Sequence, residues 1–195
     1  MLPFRLLIIT DWALGDALLE RLDDALQAGP GIAVQHRNPG ATGRRFFDDA
    51  VRVAAVCRTH GAPLFVNGRL DVALAVDAHL HLPAHGLRVD DVRPSLPGRL
   101  VSVAVHDEAE IQPGADCSLV SPVFPPGSKP DDTRAPLGAE GFARLVVAGA
   151  APAVALGGLT PARARLLPPE TPVAAISAVL RAPSPRAAAA AFLTA

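Results

Sequence analysis

Short runs of β-branched and aliphatic residues recur eight times along the chain, and helix-like segments separate them. Several runs are apolar with little alternation, as expected for parallel strands covered by helices on one side and packed inside a barrel on the other. Eight strands that alternate with helices predict a single α/β domain, a (β/α)8 TIM barrel over residues 1–195. The predicted strands are residues 5–10, 32–37, 63–67, 79–82, 100–106, 117–121, 153–156 and 173–177.

Segments with helical periodicity lie between these strands, at residues 15–28, 42–60, 137–148, 160–167 and 183–193. The segments after the fourth and fifth strands, residues 89–93 and 107–112, hold only a turn or two of helix, so we expect shortened fourth and fifth helical units. An open doubly wound sheet shares the same alternation of strands and helices. No GxGxxG motif follows the first strand, which favours the closed barrel.

Charge and hydropathy exclude several classes of partner. The chain carries 18 basic and 19 acidic residues, so no strong field attracts nucleic acid or an acidic membrane. About six apolar residues precede Asp11, too few for a signal segment or a membrane span. We therefore expect a cytoplasmic protein whose partner is a small molecule, and self-association into a homo-oligomer stays open.

In a (β/α)8 barrel, function is built at the carboxyl ends of the strands. Two such ends suggest a phosphate site, because glycine lets backbone amides approach an anion and a helix start adds its dipole. A Gly-Gly pair also occurs in ordinary tight turns, but here it follows the seventh strand, and a Ser-Ala turn follows the eighth. The predicted phosphate-binding residues are Gly157, Gly158, Ile176, Ser177 and Ala178.

Other strand ends carry candidate substrate-binding side chains. Gln35 and Arg37 alternate with His36, so the first two share one face of the strand. Arg37 can bind an anion in bidentate fashion, although a surface arginine also ends many strands. Ser128 and Lys129 lie in a loop rich in proline and glycine, where the lysine either reaches over the barrel mouth or is simply solvated.

Histidines end two strands, and either could carry a proton. His106 ends VSVAVH and His81 ends HLHLP, and each could instead be a structural residue held by hydrogen bonds. His79 and His81 are two residues apart, but no HExxH pattern and no cysteine spacing typical of metal sites is present. We predict no metal and no cofactor.

Several motifs together carry a family resemblance over nearly the whole chain. Their order is ITD, VQxR, a strand ending at Asn67, VxVAVH, SPVFPPGSK, ALGGL and ISAV. This order resembles the thiamin phosphate synthase and thiazole tautomerase (TenI-like) superfamily. The most specific segment is residues 121–129 followed by APLG at residues 135–138, which is similar to the GPVFPTxTK and PLG of the synthases.

The resemblance implies a barrel that binds a small phosphorylated thiazole or pyrimidine ligand. Thiazole phosphate would bind at the Gly-Gly and Ser-Ala turns. Gln35 and Arg37 match the pyrimidine and diphosphate strand of the synthases, Asn67 their diphosphate asparagine, and Lys129 their loop lysine. In the synthases, Mg²⁺ assists the departure of pyrophosphate as the thiazole nitrogen captures the pyrimidine carbon.

The chain departs from the synthase pattern at the metal. Gly68 and Gly86 stand where the synthases have metal-binding aspartates, and Pro39 replaces a lysine. The tautomerases move a proton on a thiazole carboxylate phosphate and do not need this metal. Pro122 replaces their histidine, so His106, His81 or His85 would have to serve instead. The further differences from the synthases are Ala104 and Pro126.

These departures favour a metal-independent, tautomerase-like enzyme of thiamin biosynthesis. Its predicted catalytic residues are His106, Lys129 and Arg37, and its predicted substrate-binding residues are Gln35, Arg37, Asn67, Ser128 and Lys129. One alternative is a thiamin phosphate synthase, which would use Mg²⁺. Another is a catalytically silent phosphate-binding or regulatory barrel.

Overall fold

The computed structural model describes residues 2–125, 134–150 and 152–195. Eight parallel strands pair in chain order, and the last pairs with the first, so the sheet is a closed barrel. The predicted (β/α)8 fold is therefore confirmed, and the open doubly wound sheet is excluded. The strands are β1 (Leu6–Ile9), β2 (Ile32–His36), β3 (Leu64–Asn67), β4 (His79–Leu82), β5 (Val101–Val105), β6 (Cys117–Val120), β7 (Ala153–Leu156) and β8 (Val173–Ala175).

The helices surround the barrel and differ widely in length. They are α1 (Ala17–Leu26), α2 (Gly43–His60), α3 (Leu70–Ala75), α4 (Val89–Val92), α5 (Gly138–Val147), α6 (Pro161–Ala164), α7 (Ser177–Leu180) and α8 (Pro185–Leu193). The fourth unit has only α4 and a 3-10 turn, and the fifth has only the 3-10 turn Glu108–Glu110, as expected from the sequence. No helix in the described part of the chain is long and apolar enough to cross a membrane.

Alternation along the strands divides the core into two layers. In β1, Leu6 and Ile8 face the helices and join the larger hydrophobic cluster. Leu7 and Ile9 point inward and join a smaller cluster that fills the barrel. The inner layer also contains Phe4, Ala33, Phe65, Cys117, Leu119, Val154 and Ala174. Each strand keeps this alternation. At the end of a strand, therefore, the next residue after an outward-facing side chain points into the barrel mouth.

The short elements were the least accurately predicted. The sequence pattern extended the last strand to Ser177, but β8 ends at Ala175 and Ser177 begins α7. The predicted helix over residues 160–167 ends at Ala164, and α3 was not predicted. Elements of three to six residues show too little periodicity for a pattern to define, and tertiary contacts determine their ends.

The barrel interior provides a test of the fold. Phe65 is fully buried there, with its ring centroid 5.8 Å from that of Phe4 and 5.0 Å from that of His79. We expect Phe65→Ala to lower the free energy of unfolding by about 3–5 kcal/mol, because the cavity lies where no other element can collapse into it. Phe47→Ala, in a half-buried helix position of α2, is the matched control and should cost clearly less in urea denaturation. Equal losses would contradict the assignment of Phe65 to the inner layer.

Candidate functional site

The carboxyl ends of β8, β1 and β2 meet at one side of the barrel mouth and enclose a pocket of about 620 Å³. Its walls include Thr10, Asp11, Arg37, Ile176 and Ser177. Closure of the sheet between β1 and β8 brings the residues that follow the first and the last strand to this pocket. Three predicted site residues, Arg37, Ile176 and Ser177, are thus placed together.

Thr10 fixes the end of β2. Its Oγ1 donates to the carbonyl oxygen of Arg37 at 3.0 Å and accepts from the N–H of Arg37 at 2.9 Å. These two bonds hold the backbone of Arg37 beside β1, so its side chain starts from a fixed point on the pocket wall. His36 faces the opposite side, toward the helices, where its Nε2 donates to the carbonyl oxygen of Phe46 at 3.2 Å. As the sequence pattern predicts, Gln35 and Arg37 lie on one face of the strand and His36 lies on the other.

Gln35 lies inside the barrel just below the mouth and is only 1% exposed. Its register partners are Ile9 on β1 and Phe65 on β3, both apolar. The Nε2 of Gln35 is buried and has no hydrogen-bond acceptor among the described residues. An unsatisfied buried donor costs about 1–3 kcal/mol of folding stability. Folding of the chain without a ligand therefore does not explain why a glutamine stands at this position.

Two more strand ends extend this polar interior. Asn67 on β3 pairs with His81 on β4, and His81 pairs with Ser102 on β5. His81 Nδ1 lies 2.9 Å from Ser102 Oγ. Burial lowers the pKa of His81 to about 3, and the positive charge of Arg37 adds to this shift. His81 is therefore neutral at physiological pH.

The predicted phosphate turns lie side by side. Leu156 at the end of β7 pairs with Ala174 in β8, so the two turns that follow are separated by about one strand spacing of 4.8 Å. Within the described residues, the backbone N–H groups of Gly157, Gly158, Ser177 and Ala178 donate to no backbone carbonyl. Four backbone donors are thus available at two adjacent strand ends.

Both glycines are also required by close packing. The loop after β6 lies directly on this turn, where Val123 N–H donates to Leu156 O at 2.8 Å and Phe124 N–H donates to Gly157 O at 3.1 Å. Gly157 and Gly158 have φ angles of +101° and +59°, and a side chain on Gly158 would overlap the carbonyl oxygen of Pro125. The Gly-Gly pair therefore connects the β7 turn to the loop that contains Ser128 and Lys129. Those two predicted residues lie outside the described residues.

His106 follows β5 and forms an ion-pair geometry that sequence reasoning missed. Its Nδ1 lies 2.6 Å from Glu110 Oε2, and its backbone N–H donates to the same oxygen at 2.7 Å. An ionised carboxylate can only accept, so Nδ1 carries the hydrogen and this bond orients the ring. His106 lines a groove beside α5 rather than the pocket of Arg37 and Ser177. The spacing of four residues in HDEAE was the available signal for Glu110.

A second unpredicted pair spans the pocket of Arg37. Arg181 Nε donates to Asp11 Oδ2 at 2.7 Å, although the two residues are 170 positions apart. Asp11 also accepts from the N–H of Ala13 at 3.2 Å. No sequence pattern links residues so far apart, and only barrel closure brings them together.

Comparisons with known proteins agree with this geometry. The family model described as "Thiamine monophosphate synthase" matches residues 6–181. The chain is 33% identical to thiamine-phosphate synthase from Chloroflexus aurantiacus, over 84% of this chain and 78% of the relative. It is 34% identical to thiamine-phosphate synthase from Chlorobium limicola, over 96% and 90% of the two chains. The chain belongs to the thiamine monophosphate synthase family.

A solved structure extends the family match to the whole fold. Thiamine phosphate pyrophosphorylase from Pyrococcus furiosus superposes with a TM-score of 0.80 at 27% identity, and the match covers 98% of this chain and 95% of that one. The barrel fold is therefore shared with a solved protein of that name over nearly the whole chain.

The Mg²⁺ that this family implies does not fit the described residues. Gly68 and Gly86 stand where the resemblance places the two metal-binding aspartates. A Cβ on Gly86 would lie only 3.0 Å from Pro83 Cδ, whereas one on Gly68 would be in ordinary van der Waals contact with it at 3.7 Å. Among the described residues, no group of three or more His, Cys, Asp or Glu side chains could hold a metal. Asp11, the nearest carboxylate in the pocket, is already bound to Arg181.

The buried histidines predict a pH dependence of stability. Burial lowers the pKa of His81 to about 3 and that of His36 to about 4. Unfolding restores ordinary values near 6.5, so the unfolded chain binds more protons below that pH. The free energy of unfolding should fall as the pH decreases from 7 to 5, by up to about 1.4 kcal/mol per pH unit for each histidine.

Urea denaturation of the wild type and of His81→Gln at pH 8, 6 and 5 measures this effect. The variant should lose stability less steeply than the wild type below pH 6.5, with pH 8 as the reference where the histidine is neutral in both states. Parallel pH profiles of the two proteins would contradict the burial of His81.

Proposed function

We propose that this protein is an enzyme of thiamin biosynthesis that binds a phosphorylated thiazole at the β7 and β8 turns and acts without a metal. The observation that carries the proposal is the pair of adjacent turns whose N–H groups, at Gly157, Gly158, Ser177 and Ala178, donate to no backbone carbonyl of the described residues. Neutral amides in this arrangement suit a phosphate group. The pocket of Arg37 begins at the same Ser177, so a ligand anchored there would extend toward Arg37.

The chemistry proposed is the transfer of a proton on a thiazole carboxylate phosphate, as in the tautomerase branch. Such a reaction needs a base that can take a proton and return it. His106 is the carrier we propose, because it follows β5 at the same rim and Glu110 orients its ring. Since His106 lines the groove beside α5, the proposal requires the bound substrate to reach from the pocket of Arg37 to that groove. Arg37 and Lys129 would bind the anionic substrate and stabilise charge that develops on it.

The backbone at Gly68 and the crowding of Gly86 by Pro83 favour this proposal over metal-dependent chemistry. Mg²⁺ sites are built from one or two carboxylates and several waters, and neither family position offers a carboxylate here. Gly68 has a φ of +69°, which is unfavourable for aspartate, and Gly86 closes on the ring and carbonyl oxygen of Pro83. The local backbone is therefore adapted to glycine at both positions.

A thiamin phosphate synthase is the second candidate, since the relatives carry that name. It would join a pyrimidine diphosphate to thiazole phosphate with loss of pyrophosphate. Gln35, Arg37 and Asn67 favour this candidate, because all three line the interior next to the pocket and the amide of Asn67 makes no hydrogen bond within the described chain. A catalytically silent barrel that binds phosphate compounds is the third candidate.

Two assays on one preparation separate these candidates. Isomerisation of thiazole carboxylate phosphate, followed by ultraviolet absorbance, should be accelerated by the wild type with EDTA present. His106→Asn should reduce the rate by roughly 10²–10⁴-fold, whereas His85→Asn, an exposed histidine on the loop after β4, is the control and should have little effect.

The parallel assay supplies the pyrimidine diphosphate and thiazole phosphate with saturating Mg²⁺. Formation of thiamin phosphate would establish the synthase and overturn the tautomerase proposal. If calorimetry shows binding of thiazole phosphate and neither assay shows turnover, the silent barrel is correct. If thiazole phosphate does not bind, all three candidates fail.

The unsatisfied amide of Gln35 gives an independent prediction. Gln35→Met keeps the length of the side chain and removes the buried donor that lacks an acceptor. We expect the variant to be more stable than the wild type by about 1 kcal/mol in urea denaturation. The same variant should bind the phosphorylated ligand more weakly in calorimetry. A loss of stability together with unchanged ligand affinity would show that Gln35 is a structural residue.

A further inference from the structure

Arg181 occupies a distinctive place in the pocket. It follows α7 directly, its backbone N–H donates to Ser177 O at 3.0 Å, and its side chain lines the same pocket as Arg37 and Ser177. It is therefore one helical turn from a residue of the proposed phosphate site. The motifs that relate this chain to its family end before Arg181, and nothing in the proposed reaction has yet used it.

Asp11 holds Arg181 through one nitrogen only. The bond joins Arg181 Nε to Asp11 Oδ2 at 2.7 Å. The Nη1 and Nη2 groups of Arg181 donate to no group of residues 2–125, 134–150 and 152–195. The side chain of Asp11 is 15% exposed and that of Arg181 is 52% exposed, so the carboxylate is fixed in the wall while the outer edge of the guanidinium faces the open pocket.

The donors of the pocket suit a ligand with two separate anionic groups. Among the lining residues that the structure describes, Arg37 and Arg181 are positive and Asp11 is acidic. The carboxylate of Asp11 balances the positive charge of Arg181, but it accepts a hydrogen bond from the Nε of that side chain only. The two remaining Nη groups form a planar fork, whose geometry matches the two oxygens of a carboxylate. A phosphate at the β7 and β8 turns would leave this fork free for a second anion.

We propose that Arg181 binds the ring carboxylate of the substrate and makes the pocket select phosphorylated thiazoles that carry a carboxylate over those that do not. Asp11 is then a positioning residue, because it orients the guanidinium without touching the ligand. This proposal rests on the proposed function, since it takes the phosphate to be anchored at Ser177. It adds the residue that distinguishes the carboxylated ligand from thiazole phosphate.

Calorimetry with two ligands tests the proposal: thiazole phosphate with the ring carboxylate, and the same compound without it. The wild type should bind the carboxylated ligand more tightly. Arg181→Gln should weaken binding of that ligand by roughly ten- to hundredfold, and binding of the other by less than about twofold. Arg181→Lys, which keeps the charge and loses the fork, should give an intermediate loss for the carboxylated ligand alone.

Arg186→Gln is the matched control, because Arg186 is an exposed arginine of the neighbouring helix α8 and lies outside the pocket. It should bind both ligands as the wild type does. Equal losses for both ligands in Arg181→Gln would show that Arg181 contacts the phosphate, and no loss for either would show that it contacts neither; both results overturn the proposal. Urea denaturation of Arg181→Gln checks that loss of the Asp11 pair leaves the fold intact.

The binding measurements and the isomerisation assay test the two proposals separately. If the wild type prefers the carboxylated ligand and Arg181→Gln removes that preference while no isomerisation occurs, the inference on Arg181 stands and the proposed reaction is wrong. If isomerisation occurs but the preference is absent or survives in Arg181→Gln, the reaction stands and the inference is wrong. Failure of the wild type to bind either ligand overturns both.

Discussion

Closure of the sheet between β8 and β1 determines where every group of the site lies. β8 has only three residues, yet it pairs with β7 on one side and with β1 on the other, through Leu6 opposite Val173 and Ile8 opposite Ala175. Since all strands are parallel, this ladder brings their carboxyl ends to one rim. Asp11 and Arg181, near the two ends of the chain, become hydrogen-bonded neighbours only through this closure. An open sheet would separate them by its full width.

Periodicity in the sequence was sufficient for the architecture because long-range pairing follows from chain order in such a barrel. Once eight strands alternate with helices, each strand lies next to its predecessor, and the alternation of Gln35 and His36 decides which one enters the barrel. The sequence pattern did not predict correctly where β8 ends. Ile176 has φ −117° and ψ −90°, a conformation that stops the strand and starts α7, and only its packing inside the barrel holds it there.

The sequence indicated the parts of the candidate site that backbone turns form. It did not indicate the parts that depend on pairs of side chains. The two turns at Gly157 and Ser177 follow from glycine and from the position of a strand end. Glu110 and Arg181 act through contacts with His106 and Asp11, and their residue types are common on any surface. Such pairs become informative only when the backbone that brings them together is known.

Polar residues in the barrel interior come at a cost that its apolar residues avoid. The interior contains Leu7, Phe65 and Leu119, whose burial contributes to stability. By contrast, Gln35 leaves its amide unsatisfied and His81 keeps a strongly lowered pKa. Folding alone would favour apolar side chains at these positions, so their presence in one column under the mouth is better explained by ligand binding than by stability.

The donors at the mouth, and not its net charge, limit which ligand can be held without a metal. A phosphate monoester and a carboxylate together carry about the same negative charge as a diphosphate ester, so charge alone does not distinguish the two kinds of ligand. Among the described residues of the lining, Arg37 and Arg181 are positive and Asp11 is acidic, and the neighbouring turns contribute neutral amides. The amides and the outer edge of the Arg181 guanidinium are two separate donor groups, which match a phosphate and a second anion placed apart from it. The close approach of Gly86 to Pro83 disfavours an aspartate there for a separate, steric reason.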